Sequence, residues 1–148
     1  MKTLKSFQML MVLALLVTTA LTGCGGPTKV DVSLTTYAVT YSTTDPIKAG
    51  DVIFHVTNDA TDQIHEFVIF KTDLPGDQMP LNAEGAVDEE GAGITFMGEV
   101  EDVEIGTSQD LSLTLEPGKY VGLCNVGENV GDVVNHYTHG MYIEFTVK

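Results

Sequence analysis

Gly118-Lys-Tyr-Val-Gly-Leu-Cys124, His136-Tyr-Thr-His-Gly-Met141 and Tyr142-Ile-Glu-Phe-Thr-Val147 follow one another near the end of the 148-residue chain. A thiol, an imidazole and a thioether are set here between two runs that read as strands. In the last run Tyr142, Glu144 and Thr146 alternate with Ile143, Phe145 and Val147, the period of two of a half-buried strand. The stretch therefore hangs a long loop between the final two strands of a sheet, with the spacing Cys-x11-His-x4-Met.

Working outward, Leu111, Leu113 and Leu115 alternate with polar residues. This predicted strand ends at Glu116-Pro-Gly-Lys119, where Pro-Gly suits the centre of a type II turn. Ile64-His65-Glu66-Phe67-Val68-Ile69-Phe70 is a strongly apolar strand with a histidine at its mouth. Val52, Phe54 and Val56 alternate with Ile53, His55 and Thr57, which places His55 on the solvent side. Val30 to Tyr41 changes parity midway and is expected to be one long strand with a bulge or a crossing between sheets. Residues 73–104 are rich in Pro, Gly and carboxylates, with a short strand expected near Ile94 to Val100. The rest reads as a solvated excursion, and the Asp-x-Asp-x-Asp-Gly spacing of a calcium loop is absent from it. About seven strands, no long amphipathic helix and frequent turn signals predict an all-β, antiparallel Greek-key β-sandwich over residues 30–148.

A Cys, a His and a Met gathered at one end of such a sandwich, with a second His from elsewhere, form the donor set of a blue-copper centre. The residues that carry a family likeness are Cys124-Asn125 and His136-Tyr137-Thr138-His139-Gly140-Met141-Tyr142, together with the pattern of strand, Thr57-Asn58, loop and His65-Glu66-Phe67. They resemble the cupredoxins, the plastocyanin and azurin superfamily, and within it the bacterial single-domain members. The loop departs from the usual pattern in length, because eleven residues separate Cys124 from His136. The resemblance implies one copper ion held by His65, Cys124, His136 and Met141, and one-electron transfer without enzymatic turnover. Asn58, Glu66 and Asn125 are expected to orient these ligands through hydrogen bonds. On the residues alone a lone His65 is more often structural, Met141 serves equally as core filling, and His139 competes with His136. His136 fits better, since His139 leaves only Gly140 before Met141.

The start of the chain has a different character. Residues 1–23 combine Lys2 and Lys5 with an apolar run from Met9 to Val17 and end in Leu21-Thr22-Gly23 before Cys24, a secretory signal of the lipoprotein type. The apolar run is too short for a permanent membrane span. Leu-Thr-Gly-Cys resembles a lipobox, which implies lipid attachment at Cys24 and anchoring at the periplasmic or extracellular face of a membrane. Residues 24–29 then form a tether of ~15–20 Å at full extension. With Cys24 lipidated, Cys124 is the only thiol left. An unpaired thiol in an exported chain is a ligand, a reactive group or an inert buried side chain, and the flanking His and Met favour the ligand.

The net charge is −14, and loss of Lys2 and Lys5 leaves five basic against 21 acidic residues, or −16. Such a surface disfavours nucleic acid and anionic lipid head groups as partners. There is no arginine, so phosphate clamping has little to work with. The expected partner is a redox protein with a cationic docking face, met by a monomer. A copper-binding or copper-delivery lipoprotein without redox turnover, and a metal-free sandwich used for docking, are the competing readings.

Overall fold

A computed structural model describes residues 26–43, 46–130 and 132–148. The expected signal segment and Cys24 lie outside the described residues. The strands are β1 (Thr28–Thr35), β2 (Ala38–Tyr41), β3 (Gly50–Asn58), β4 (His65–Thr72), β5 (Ile94–Val103), β6 (Ser108–Leu115), β7 (Gly118–Leu123), β8 (Gly127–Val130), β9 (Asp132–Asn135) and β10 (Tyr142–Val147). Two four-stranded sheets, ordered β2-β1-β3-β6 and β10-β7-β4-β5, face each other, and β8 pairs with β9 as a separate ribbon. The pairings of β3 with β6 and of β4 with β7 are antiparallel, and they are the crossings a Greek-key sandwich requires. One pairing, β1 with β3, is parallel.

Alternation decides what each sheet buries. Val32, Leu34, Phe54 and Val56 from one sheet meet Phe67, Ile69 and Phe145 from the other in a closed core. Each such side chain contributes ~1.5–3 kcal/mol by leaving water. β4 and β7 are apolar on both faces because both faces are covered. Their outward residues Val68, Phe70, Val121 and Leu123 pack with Met79, Val87 and Tyr137 in a second cluster. The acidic excursion is therefore only partly solvated, since Met79 and Val87 fasten it across the outer face of the sheet. This explains why residues 64–70 read as a continuous apolar run instead of an alternating one.

Four local expectations change. Val30 to Tyr41 is a hairpin and not one long strand, because Thr36 and Tyr37 turn the chain with Tyr37 at φ 57° and β1 pairs antiparallel with β2. No Gly, Pro or Asn marks that turn, which hides it from the sequence. Pairing of β1 begins at Thr28 and Lys29, opposite Val52 and Ile53, so these two residues belong to the sheet. Gly118 has φ 156° and is the first residue of β7, far from the roughly +80° of a type II turn. Strand β5 also runs on to Val103.

Gly122 of β7 supplies a stability test. A Cβ built there would stand 2.5 and 2.6 Å from ring atoms of Phe67, which is itself fully buried. Gly122→Ala is expected to cost about 1–3 kcal/mol through overpacking, read as a lower urea midpoint with unchanged slope. An unchanged midpoint would show that the Phe67 ring has room to yield.

Candidate metal centre

Three neighbouring strands end together, and their ends carry the chemistry. In the order β10-β7-β4, Met141 directly precedes β10, Cys124 directly follows β7 and His65 opens β4. The backbone N–H of Cys124 donates to the carbonyl of Met141 at 3.1 Å, which fixes those two side by side. His65 shares its strand parity with Phe67 and Ile69 and so faces inward. Opposite it, β5 slips register between Val103 and Val100, with Asp102 at φ 48°. Such a bulge re-aims a side chain at a sheet end. Fully buried Asn58 closes the loop before His65 by donating from Nδ2 to the carbonyls of Gln63 (3.0 Å) and Val103 (2.8 Å) and accepting from the N–H of Ala60 (2.9 Å).

His136 arrives from the other end of the long loop. The ribbon β8–β9 takes up the intervening residues, and its base is tied by His136 N–H to the Val126 carbonyl at 2.9 Å and by Asn135 Nδ2 to the Asn125 carbonyl at 2.7 Å. A 3-10 turn over Tyr137–His139 follows. Gly140 then adopts φ 91°, a left-handed conformation that glycine takes at little cost, and the N–H of Met141 returns to the His136 carbonyl at 3.1 Å.

The result is a convergent, buried donor set. His65 Nδ1 and His136 Nδ1 are 3.2 Å apart, and Cys124 Sγ lies 3.6 Å from the first and 3.3 Å from the second. A near-equilateral triangle with these edges has its centre about 2 Å from each atom, which matches metal–imidazole bonds of ~2.0–2.1 Å. All three residues and Met141 are fully buried. Burial pushes the Cys124 thiol up to about 12, although the backbone N–H groups of Glu66 and Val126 bond to it and pull the other way. Burial likewise pushes the Glu66 carboxyl up to about 7, opposed by the N–H of Asn125 and reinforced by Glu99, Glu89 and Glu101. Two imidazoles and a thiol in one enclosed triangle suit a soft or borderline metal ion. His65, Cys124 and His136 form a candidate metal-binding site.

The predicted site residues divide into two groups. His65, Cys124 and His136 come within 4.8 Å of one another, and Met141 is held next to Cys124 by the backbone bond already described. Asn58, Glu66 and Asn125 surround them and act on main chain: Glu66 Oε1 accepts from Asn125 N–H at 2.8 Å. Asn125 also exchanges bonds with Val87, its Oδ1 accepting from the N–H at 2.7 Å and its Nδ2 donating to the carbonyl at 3.0 Å. His139 is exposed, with Nδ1 3.2 Å from the Asn135 carbonyl. His55 is exposed too, 2.6 Å from Asp110. Sequence reasoning missed Val87, Met79, whose N–H donates to the Tyr137 hydroxyl at 3.0 Å, and Tyr37, whose ring lies 5.4 Å from that of His136. No spacing signal links these residues to the loop.

Solved structures supply the comparison. An auracyanin from the photosynthetic bacterium Roseiflexus castenholzii, reduced with dithionite, is 23% identical over 84% of this chain and 99% of its own, with a TM-score of 0.57. Rusticyanin from Thiobacillus ferrooxidans is 17% identical over 84% of this chain and 79% of its own, with a TM-score of 0.54; another rusticyanin structure is described as that of a copper protein. Auracyanin B is 18% identical over 82% of this chain and 88% of its own, with a TM-score of 0.52. No family model matches the chain, and no curated protein does. The fold is that of the cupredoxins, as the sequence resemblance implied.

Proposed function

We propose that the protein is a blue-copper one-electron carrier, anchored through Cys24 at the outer face of a membrane. The observation that carries the reading is the buried triangle of His65 Nδ1, His136 Nδ1 and Cys124 Sγ. A copper ion in it would supply a Cu(II)/Cu(I) couple. Cys124 provides a thiolate continuous with β7, and His65 and His136 provide neutral imidazole nitrogens. Met141 contributes a weak thioether donor from the end of β10. The N–H groups of Glu66 and Val126 stabilise negative charge on the sulfur. Strand ends, the ribbon base and the Gly140 turn fix these groups, so a copper ion held by them would meet nearly the same donor positions in either oxidation state. The auracyanin and one rusticyanin structure are of reduced proteins, which is consistent with redox use of this fold. The test is visible absorption and EPR of the copper-loaded soluble domain, followed by a reductive titration. Reversible one-electron cycling supports the carrier; binding without reversibility would favour copper delivery, and failure to bind stoichiometrically would end the metal reading.

Anchoring rests on Leu21-Thr-Gly-Cys24. The Cys24→Ala protein is expected to leave the membrane fraction and to lose the lipid mass from its N-terminus. Continued fractionation with membranes would remove the anchor. A cationic redox partner follows from the acidic surface, since opposite charge steers encounter. Electron-transfer rates to such a partner should fall several-fold as salt shortens the Debye length from about 10 Å at 0.1 M. Rates indifferent to ionic strength would rule out charge-guided docking.

A further inference from the structure

Tyr37 occupies the tip of the β1–β2 hairpin with φ 57°, a left-handed conformation that a bulky side chain adopts only when its surroundings enforce it. Thr36 beside it anchors the tip by donating from Oγ1 to Asp62 Oδ1 at 3.2 Å, in the loop that leads to His65. The half-buried Tyr37 ring stands edge-on to His136, with centroids 5.4 Å apart and planes at 84°, and lies tilted on His139 at 4.9 Å and 33°. His136 is 0% exposed and its Nδ1 is turned inward towards Cys124. A ring from a distant hairpin therefore packs on the imidazole that the loop delivers to the site, at a turn where glycine or asparagine would be less strained.

We propose that Tyr37 is a positioning residue: its ring is the cover that closes His136 to solvent and holds the imidazole aimed at Cys124, while exposed His139 supports the cover from outside. The role deepens the copper reading, because a ligand histidine screened in this way keeps water and small anions from the metal. It also gives the strained backbone a reason, since strain is retained where the held side chain is needed.

The metal-free protein suffices for the test. Diethyl pyrocarbonate labelling, read by peptide mass spectrometry, follows all four histidines. In the native protein exposed His55 and His139 should label quickly, and buried His65 and His136 slowly. Tyr37→Gly removes the ring and suits the backbone, so the hairpin should persist. It is expected to raise His136 labelling by about tenfold or more while His65 stays protected. Tyr37→Phe keeps the ring and should label as the native protein does. Unchanged His136 labelling in Tyr37→Gly, equal labelling of His65, or a rise in Tyr37→Phe would each overturn the assignment. Failure of the native protein to bind copper would instead strike the electron-carrier reading and leave the labelling result standing.

Discussion

Cys124→Ser is expected to abolish the thiolate-to-copper charge-transfer band and to weaken copper binding by at least about 100-fold, more than loss of an outer hydrogen-bond partner costs. The expectation follows from the donor set, in which Cys124 Sγ is the only sulfur in the triangle with the two Nδ1 atoms. Proton counting gives a second readout. With its pKa pushed up to about 12 by burial, the thiol of the empty site is protonated at neutral pH, so metal binding must displace that proton. Below about pH 12, raising the pH therefore favours binding, and apparent affinity should gain about tenfold per pH unit from this group. Calorimetry in buffers of different ionisation enthalpy should show proton release on binding in the native protein and about one proton less in Cys124→Ser. Equal release by both would mean that the sulfur is not a ligand.

The second large effect separates two histidines three residues apart. His136→Ala should eliminate the charge-transfer band, whereas His139→Ala should leave it nearly intact. His136 is fully buried with Nδ1 3.3 Å from the sulfur, but His139 is exposed and engages the Asn135 carbonyl and the Tyr37 ring. The opposite pattern would transfer the ligand role to His139, and a band that survives both substitutions would mean that the site is not built from this loop.

Much of the site was legible because its chemistry is written locally. Cys124, His136 and Met141 sit at the borders of two alternating runs, and strand borders gather at one end of a sandwich. His65 sits at the mouth of an apolar strand, but a lone histidine there is more often structural, and its place among the ligands came from the cupredoxin resemblance. The β1–β2 hairpin was not readable: Thr35-Thr36-Tyr37 contains none of the usual turn residues, and the positive φ of Tyr37 is held by rings and side chains far away in sequence. Nor could periodicity place the excursion. Met79 and Val87 are isolated apolar residues in an acidic stretch, and only the doubly buried strands beneath them explain their burial. The parallel pairing of β1 with β3 depends on how the chain crosses between strands, which a pattern of period two does not record.

The ribbon β8–β9 separates contour length from placement. Because the His136-to-Val126 and Asn135-to-Asn125 bonds clamp its base, the chain leaves the centre at Cys124 and re-enters it at His136 through a neck only a strand spacing wide, whatever lies beyond. Residues could be added or removed at the tip in facing pairs while that neck stayed shut. The segment that made the ligand spacing look unusual is thus a natural port for grafting a recognition peptide or a surface tether beside the centre, with the chemistry left in place.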